Sequence, residues 1–147
     1  MAGKYLDIPQ FDQLPAPVYF RYDEFGADTI SAPHRHAWGQ LNYAAHGVMH
    51  LDVDGQRFIS PPHQAVWVPP GCEHGCYNPQ AIVYRSVYLH RDLCHDLPQQ
   101  PCSLVINDIL KAILSDFARR DLKVAQDQCD LRLTQVLLDQ LHLTPIQ

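Results

Sequence analysis

Up to about residue 98, apolar and polar positions alternate in short runs divided by turn residues. The β-favouring runs are Pro17 to Tyr22, Gln40 to Ala44, Val48 to Val53, Gln56 to Ile59, Ala65 to Val68 and Ala81 to Leu89. Asp54-Gly55 lies between two of them and predicts a tight hairpin. All seven glycines and ten of the twelve prolines fall in this part, which suits short strands with defined corners. Many short strands at this spacing predict a sandwich or barrel.

From Ser103 the period changes. Ile106, Ile109, Leu110, Ile113, Leu114 and Phe117 recur at helical spacing, with Asn107, Asp108, Lys111 and Asp116 on the other side. Ser103 is the expected N-cap. After a polar stretch, a second helix is expected over about 131–141, carrying Leu133, Val136, Leu137 and Leu141, with Pro145 stopping it. The predicted organisation is a β-barrel over 1–100 and a helical hairpin over 101–147, one domain overall. The helices must bury their stripes on the barrel or against a second copy of themselves.

Composition narrows the partners. The chain has 147 residues, 46% hydrophobic and 18% charged, enough for one folded core. Lys+Arg 11 against Asp+Glu 16 gives a net charge of −5, so nothing draws it to nucleic acid or an anionic membrane. Arg119, Arg120 and Lys123, interleaved with Asp116 and Asp121, are expected to be a solvated helix end. No apolar run approaches the roughly 20 residues that span a bilayer, and no N-terminal signal pattern is visible, so a cytoplasmic location without membrane contact is expected. Cys72, Cys76, Cys94, Cys102 and Cys129 make an odd count and are expected to be reduced thiols.

Two segments carry chemistry. In His34-Arg35-His36, residues two apart on a strand share a face, about 6–7 Å apart. Gln40 would lie about 13 Å beyond His36 if extended, so the chain must turn at Ala37-Trp38-Gly39 to bring it back. The plain alternative is a pair of surface histidines. In Pro69-Pro70-Gly71-Cys72-Glu73-His74, the prolines end a strand, Gly71 turns the chain, and His74 starts the next one. Cys72 and Cys76 flank His74, but about 13 Å apart on a strand they could not share a tetrahedral zinc. His46, His50, His63, His90, His95 and His142 are expected to be turn, surface or satisfied residues.

Together the segments resemble the two motifs of the cupin superfamily. His34, His36, Gln40 and Gly47 keep the spacing of the first motif; Pro69, Gly71, His74 and Asn78 keep that of the second. Asp28 and His63 stand where cupins usually have turn glycines, which affects loop shape more than the site. The resemblance implies a mainly β, cupin-like double-stranded β-barrel (jelly roll) with the two-helix appendage. The phrase from His34 to Met49, with Ala65 to His74, is similar to the N-terminal effector-binding domain of AraC-family transcription regulators, over residues 14–142. That resemblance implies a small-molecule effector and a homodimer through helices 103–118 and 131–142. It also implies DNA contact only through a domain absent from this chain.

The implied site is one divalent transition metal on His34, His36, Gln40 and His74. Zn or Ni suits this set best, and Fe or Cu is compatible. With Gln40 in place of an acid the ion keeps its full charge, which favours an anionic ligand such as a carboxylate. Asn42, in phase with Gln40, and the aromatics Trp38, Trp67, Tyr84 and Tyr88 are the candidate ligand-binding wall. Arg85 alternates to the opposite face from Tyr84 and is expected at the surface. No catalytic residue is assigned. Two further readings compete: a small metal-dependent cupin enzyme (dioxygenase or isomerase), and a metal-free barrel with idle histidines.

Overall fold

The computed structural model describes residues 3–146. Among the described residues there are ten strands: β1 (Lys4–Tyr5), β2 (Val18–Phe25), β3 (Thr29–His34), β4 (Gly39–His46), β5 (Met49–Val53), β6 (Gln56–Ser60), β7 (Gln64–Val68), β8 (His74–Asn78), β9 (Ile82–Leu89) and β10 (Cys102–Val105). Helices α1 (Asp108–Arg119) and α2 (Gln128–Leu143) follow. One sheet has the order β1-β3-β8-β5-β6 and the other β10-β7-β4-β9-β2. The two pack as a jelly roll of the cupin type. Asp54 and Gly55 both have positive φ (46° and 83°) and close the β5–β6 hairpin, as the Asp-Gly signal predicts.

Alternation places the two halves of the core. Ala44, Val66, Val68 and Tyr84 of one sheet meet Met49, Leu51 and Val53 of the other inside the barrel. The intervening residues Phe20, Leu41, Tyr43, Trp67, Val87 and Leu89 point outward, under Leu110, Ile113, Leu114 and Phe117 of α1 and Leu137 and Leu141 of α2. The central strands are therefore buried on both faces. The rings of Phe20 and Phe117 stack 3.9 Å apart at 8°, and fully burying such a side chain stabilises by about 1.5–3 kcal/mol. Strand β2 is the edge of its sheet, and its free Phe20 N–H donates to the Lys123 carbonyl (2.7 Å) between the helices.

The structure corrects several expectations. Ser103 is no helix cap: it lies in β10, opposite Val66. Leu104 and Ile106 are buried while Val105 is exposed, a period of two that runs into the helical pattern. The cap of α1 is Asn107, whose side chain accepts from the Leu110 N–H, so the first helix begins five residues later than 103. The second is longer than expected, capped by Asp127. Ile113 and Phe117 are committed to the barrel, whereas Ile109, Leu131 and Val136 are exposed. Arg120 is not simply solvated: it bridges Asp116 (2.7 Å) and the buried Asp130 (2.8 Å), tying α1 to α2. No helix among the described residues is long and apolar enough to cross a membrane.

Candidate metal centre

Strand β3 ends at His34 and β8 begins at His74, and the two are opposite each other in the ladder. The register slips between Ser31 and His34, where Pro33 lacks an N–H to pair. His36 is not on the strand with His34, contrary to expectation. It lies in the turn leading to β4, its ring stacked on Trp38 at 4.6 Å and 9°. That turn passes close under Trp67: a Cβ on Gly39 would run into its ring and lie 2.9 Å from Cys94 Sγ. Gln40 follows on β4. The metal-binding atoms of His34, His36 and His74 all lie within 4.8 Å of one another.

The imidazoles share one arrangement. Each Nδ1 is 2.9 Å from a backbone carbonyl two residues away: Ala32 for His34, Trp38 for His36 and Cys72 for His74. An Nδ1–H donating there leaves Nε2 as a lone pair. Burial holds the His74 pKa down to about 4, against the upward pull of the Cys72 carbonyl and helped by the neighbouring His34 and His36. Burial likewise lowers His36. Both rings are therefore neutral at pH 7.

Gln40 is oriented from behind. Its Nε2 donates to Asn42 Oδ1 (2.7 Å) and to the Tyr84 hydroxyl (3.0 Å), and Tyr84 donates to the same Asn42 oxygen (2.6 Å). Gln40 Oε1 must then face the imidazoles, 3.0 Å from His36 Nε2 and 3.1 Å from His74 Nε2. With each ring's proton on Nδ1 these are contacts between acceptors, and the buried His34 Nε2 has no hydrogen-bond partner among the described residues. Such a convergence of lone pairs is the environment of a cation. Tetrahedral zinc–nitrogen bonds of about 2.0–2.1 Å set the nitrogens about 3.4 Å apart, so from a spacing of up to 4.8 Å the rings would close in by about 1 Å to grip an ion. The residues fit a divalent transition metal.

The other predicted residues divide. Asn42 and Tyr84 face inward and set Gln40. Tyr88 faces inward, 5.6 Å from the His36 ring, and Trp38 braces His36. Trp67 does not belong to the site. Its neighbours Val66 and Val68 face the interior, so it points outward into the core beneath the helices, its Nε1 donating to the Pro98 carbonyl (2.8 Å). Cys72 and Cys76 stand apart from the histidine cluster. Burial and the Asp54 hydrogen bond push the Cys72 thiol up to about 11, and burial raises Cys76. Arg85 turns away from the interior as expected.

Sequence reasoning missed Arg21. It lines an interior cavity of about 20 Å³ together with His34, His74, Gln40, Asn42 and Tyr84. Its parity matches Tyr19 and Phe25, but Val18 and Phe20 are equally apolar. The sequence of β2 alone does not say which parity faces inward.

Known proteins bear on this arrangement. A family described as the AraC-like ligand binding domain matches residues 17–137. The HTH-type transcriptional regulator NimR of Escherichia coli (strain K12) is 30% identical over 131 residues, 83% of this chain and 45% of the relative. The chain thus spans about half the length of that protein. Among solved structures, an RmlC-like cupin from Shewanella frigidimarina aligns at 20% identity over 48% of this chain and 66% of its own (TM-score 0.42). A salicylate 1,2-dioxygenase from Pseudaminobacter salicylatoxidans aligns at 17% over 49% and 22% (TM-score 0.47). Likenesses this partial bear on neither activity nor ligand.

Proposed function

The chain belongs to the AraC-like ligand-binding domain family, and from that premise we propose that it is the small-molecule-sensing part of a transcription regulator, with a metal built into its ligand site. The ion would be held by His34, His36, His74 and Gln40. One observation supports this above all: three imidazoles, each with Nδ1 against a backbone carbonyl, converge within 4.8 Å, and the Gln40 oxygen lies against two of them. Bound there, the ion would offer a Lewis-acidic position to a ligand oxygen. The protein's own part is to fix the tautomers through Ala32, Trp38 and Cys72, to aim Gln40 through Asn42 and Tyr84, and to exclude water around them. The core beneath α1 and α2 would pass ligand occupancy to the helices, which would pair in a homodimer. DNA would be met by a further domain of the regulator, in the cytoplasm.

Elemental analysis of the untagged chain, purified without added metal, tests this. About one equivalent of Zn, Ni, Fe or Cu is expected, with Zn or Ni favoured, and it should be lost in His34→Ala and His74→Ala. Substoichiometric metal, or content unchanged in both variants, would remove the ion from the reading.

A further inference from the structure

Strands β2, β9 and β4 lie side by side, and Arg21, Ser86 and Asn42 are opposite one another across them. This row sits one step deeper than Gln40. Asn42 is 2% exposed. Its Oδ1 already accepts from Gln40 and Tyr84, which turns its amide nitrogen the other way, and Nδ2 has no hydrogen-bond partner among the described residues.

Arg21 is similarly underused. Its guanidinium lies over the faces of Tyr84 and Phe25, 5.1 and 5.8 Å from their centroids. Its polar contacts are long: 3.3 Å to the Tyr88 hydroxyl and 3.5 Å to the Asp7 carbonyl. Among the described residues it forms no ion pair, the six that occur all lying elsewhere. The cavity it lines has no Asp or Glu in its wall. The opposite wall is imidazole and amide. A permanent cation with five N–H donors therefore shares a small interior space with an unpaired buried amide donor, and no counter-charge faces either.

We propose that the ligand carries a carboxylate, bound in the barrel by the Arg21 guanidinium and the Asn42 side-chain amide. This rests on the barrel being the ligand site, but not on the metal. A carboxylate supplies what the cavity lacks: negative charge, and two oxygens matched to the guanidinium fork, with a lone pair to spare for an amide. A volume of about 20 Å³ is near that of a single water site, so a carboxylate would enter only as the walls draw apart. The smallest carboxylates are thus the right probes.

The test uses metal-stripped protein, so that coordination to an ion contributes nothing. Sodium acetate is titrated against sodium chloride at equal ionic strength, with acetamide as the neutral isostere, while the Arg21 Nε–H and Asn42 side-chain amide are followed by nitrogen-15 NMR. Acetate should move both signals saturably, and acetamide should not. Binding should weaken by about tenfold or more in Arg21→Gln and be partly retained in Arg21→Lys. Signals that do not saturate, equal binding of acetamide, or undiminished affinity in Arg21→Gln would overturn the proposal. Should Arg21→Gln not fold, the two signals in the unaltered protein decide alone. Elemental analysis that finds no metal in the chain as purified, with acetate still saturating Arg21, would overturn the metal reading and leave the carboxylate site standing; stoichiometric metal with no acetate response would do the reverse.

Discussion

Acidifying the metal-free protein from pH 7 to pH 5 should remove about 2 kcal/mol of stability through His74. In the unfolded chain this imidazole takes up its proton near 6.5, but in the fold it resists until about 4. As the pH falls the unfolded state is protonated first, so stability is complete above 6.5 and is lost progressively toward 4. The whole interval corresponds to about 3 kcal/mol, of which about 2 is gone by pH 5. His36, shifted the same way by burial, adds to the loss. The assay is urea unfolding followed by tryptophan fluorescence, where the midpoint should drop by about 1 M for a slope of about 2 kcal/mol/M. His74→Gln, which cannot titrate, should be less stable at pH 7 and lose most of this pH dependence. Saturating metal should leave the loss between pH 7 and 5 nearly unchanged and extend it below pH 4, since the ion keeps the proton off the folded ring. A midpoint that stays put between pH 7 and 5, or an equal decline in His74→Gln, would refute the reasoning.

Gln40→Glu should tighten divalent metal by about tenfold or more, measured by competition with a chromophoric chelator, because it adds an anionic ligand. The same change should weaken acetate, by lowering the charge in the cavity and by drawing the Asn42 amide toward the new carboxylate. Phe117→Ala should cost about 3–5 kcal/mol in urea unfolding, since the ring is fully buried against Phe20; a loss below about 1 kcal/mol would mean the helices are not held by this contact. Ile109→Lys with Val136→Lys should leave the monomer's stability nearly unchanged but abolish dimers in sedimentation, because both side chains are exposed. A dimer that survives would place the contact elsewhere.

The barrel was legible wherever one large apolar residue alternated with one polar one, and wherever an Asp-Gly turn separated two such runs. Strand β3 was not, because Ser31, Ala32 and Pro33 have no such contrast, and β10 was hidden by apolar residues that also fit a helical stripe. That His34, His36 and His74 come together was legible in the motif spacing, and Gly39 allows the turn that brings Gln40 beside them. What made the site intelligible could not be read: the three backbone carbonyls that fix the tautomers belong to residues of no particular identity. Trp67 and Arg21 were misplaced or missed for one reason. On a strand buried on both sides, composition does not say which face is the interior, and only the packing of the helices decides it.

Strand β2 has a consequence of its own. Arg21 lines the interior cavity, while the residue before it, Phe20, lies against Phe117 and donates its N–H to the loop between the helices. On the proposed reading, sensor and output contact would be consecutive residues of β2. To reach the helices, a ligand that draws Arg21 inward would have to move β2 itself, because the guanidinium hangs on rotatable side-chain bonds and the Phe20 N–H lies in the preceding peptide plane. Amide hydrogen exchange at Phe20 reports this directly: it should slow when acetate occupies the cavity, and an unchanged rate would show that the strand's two faces move independently.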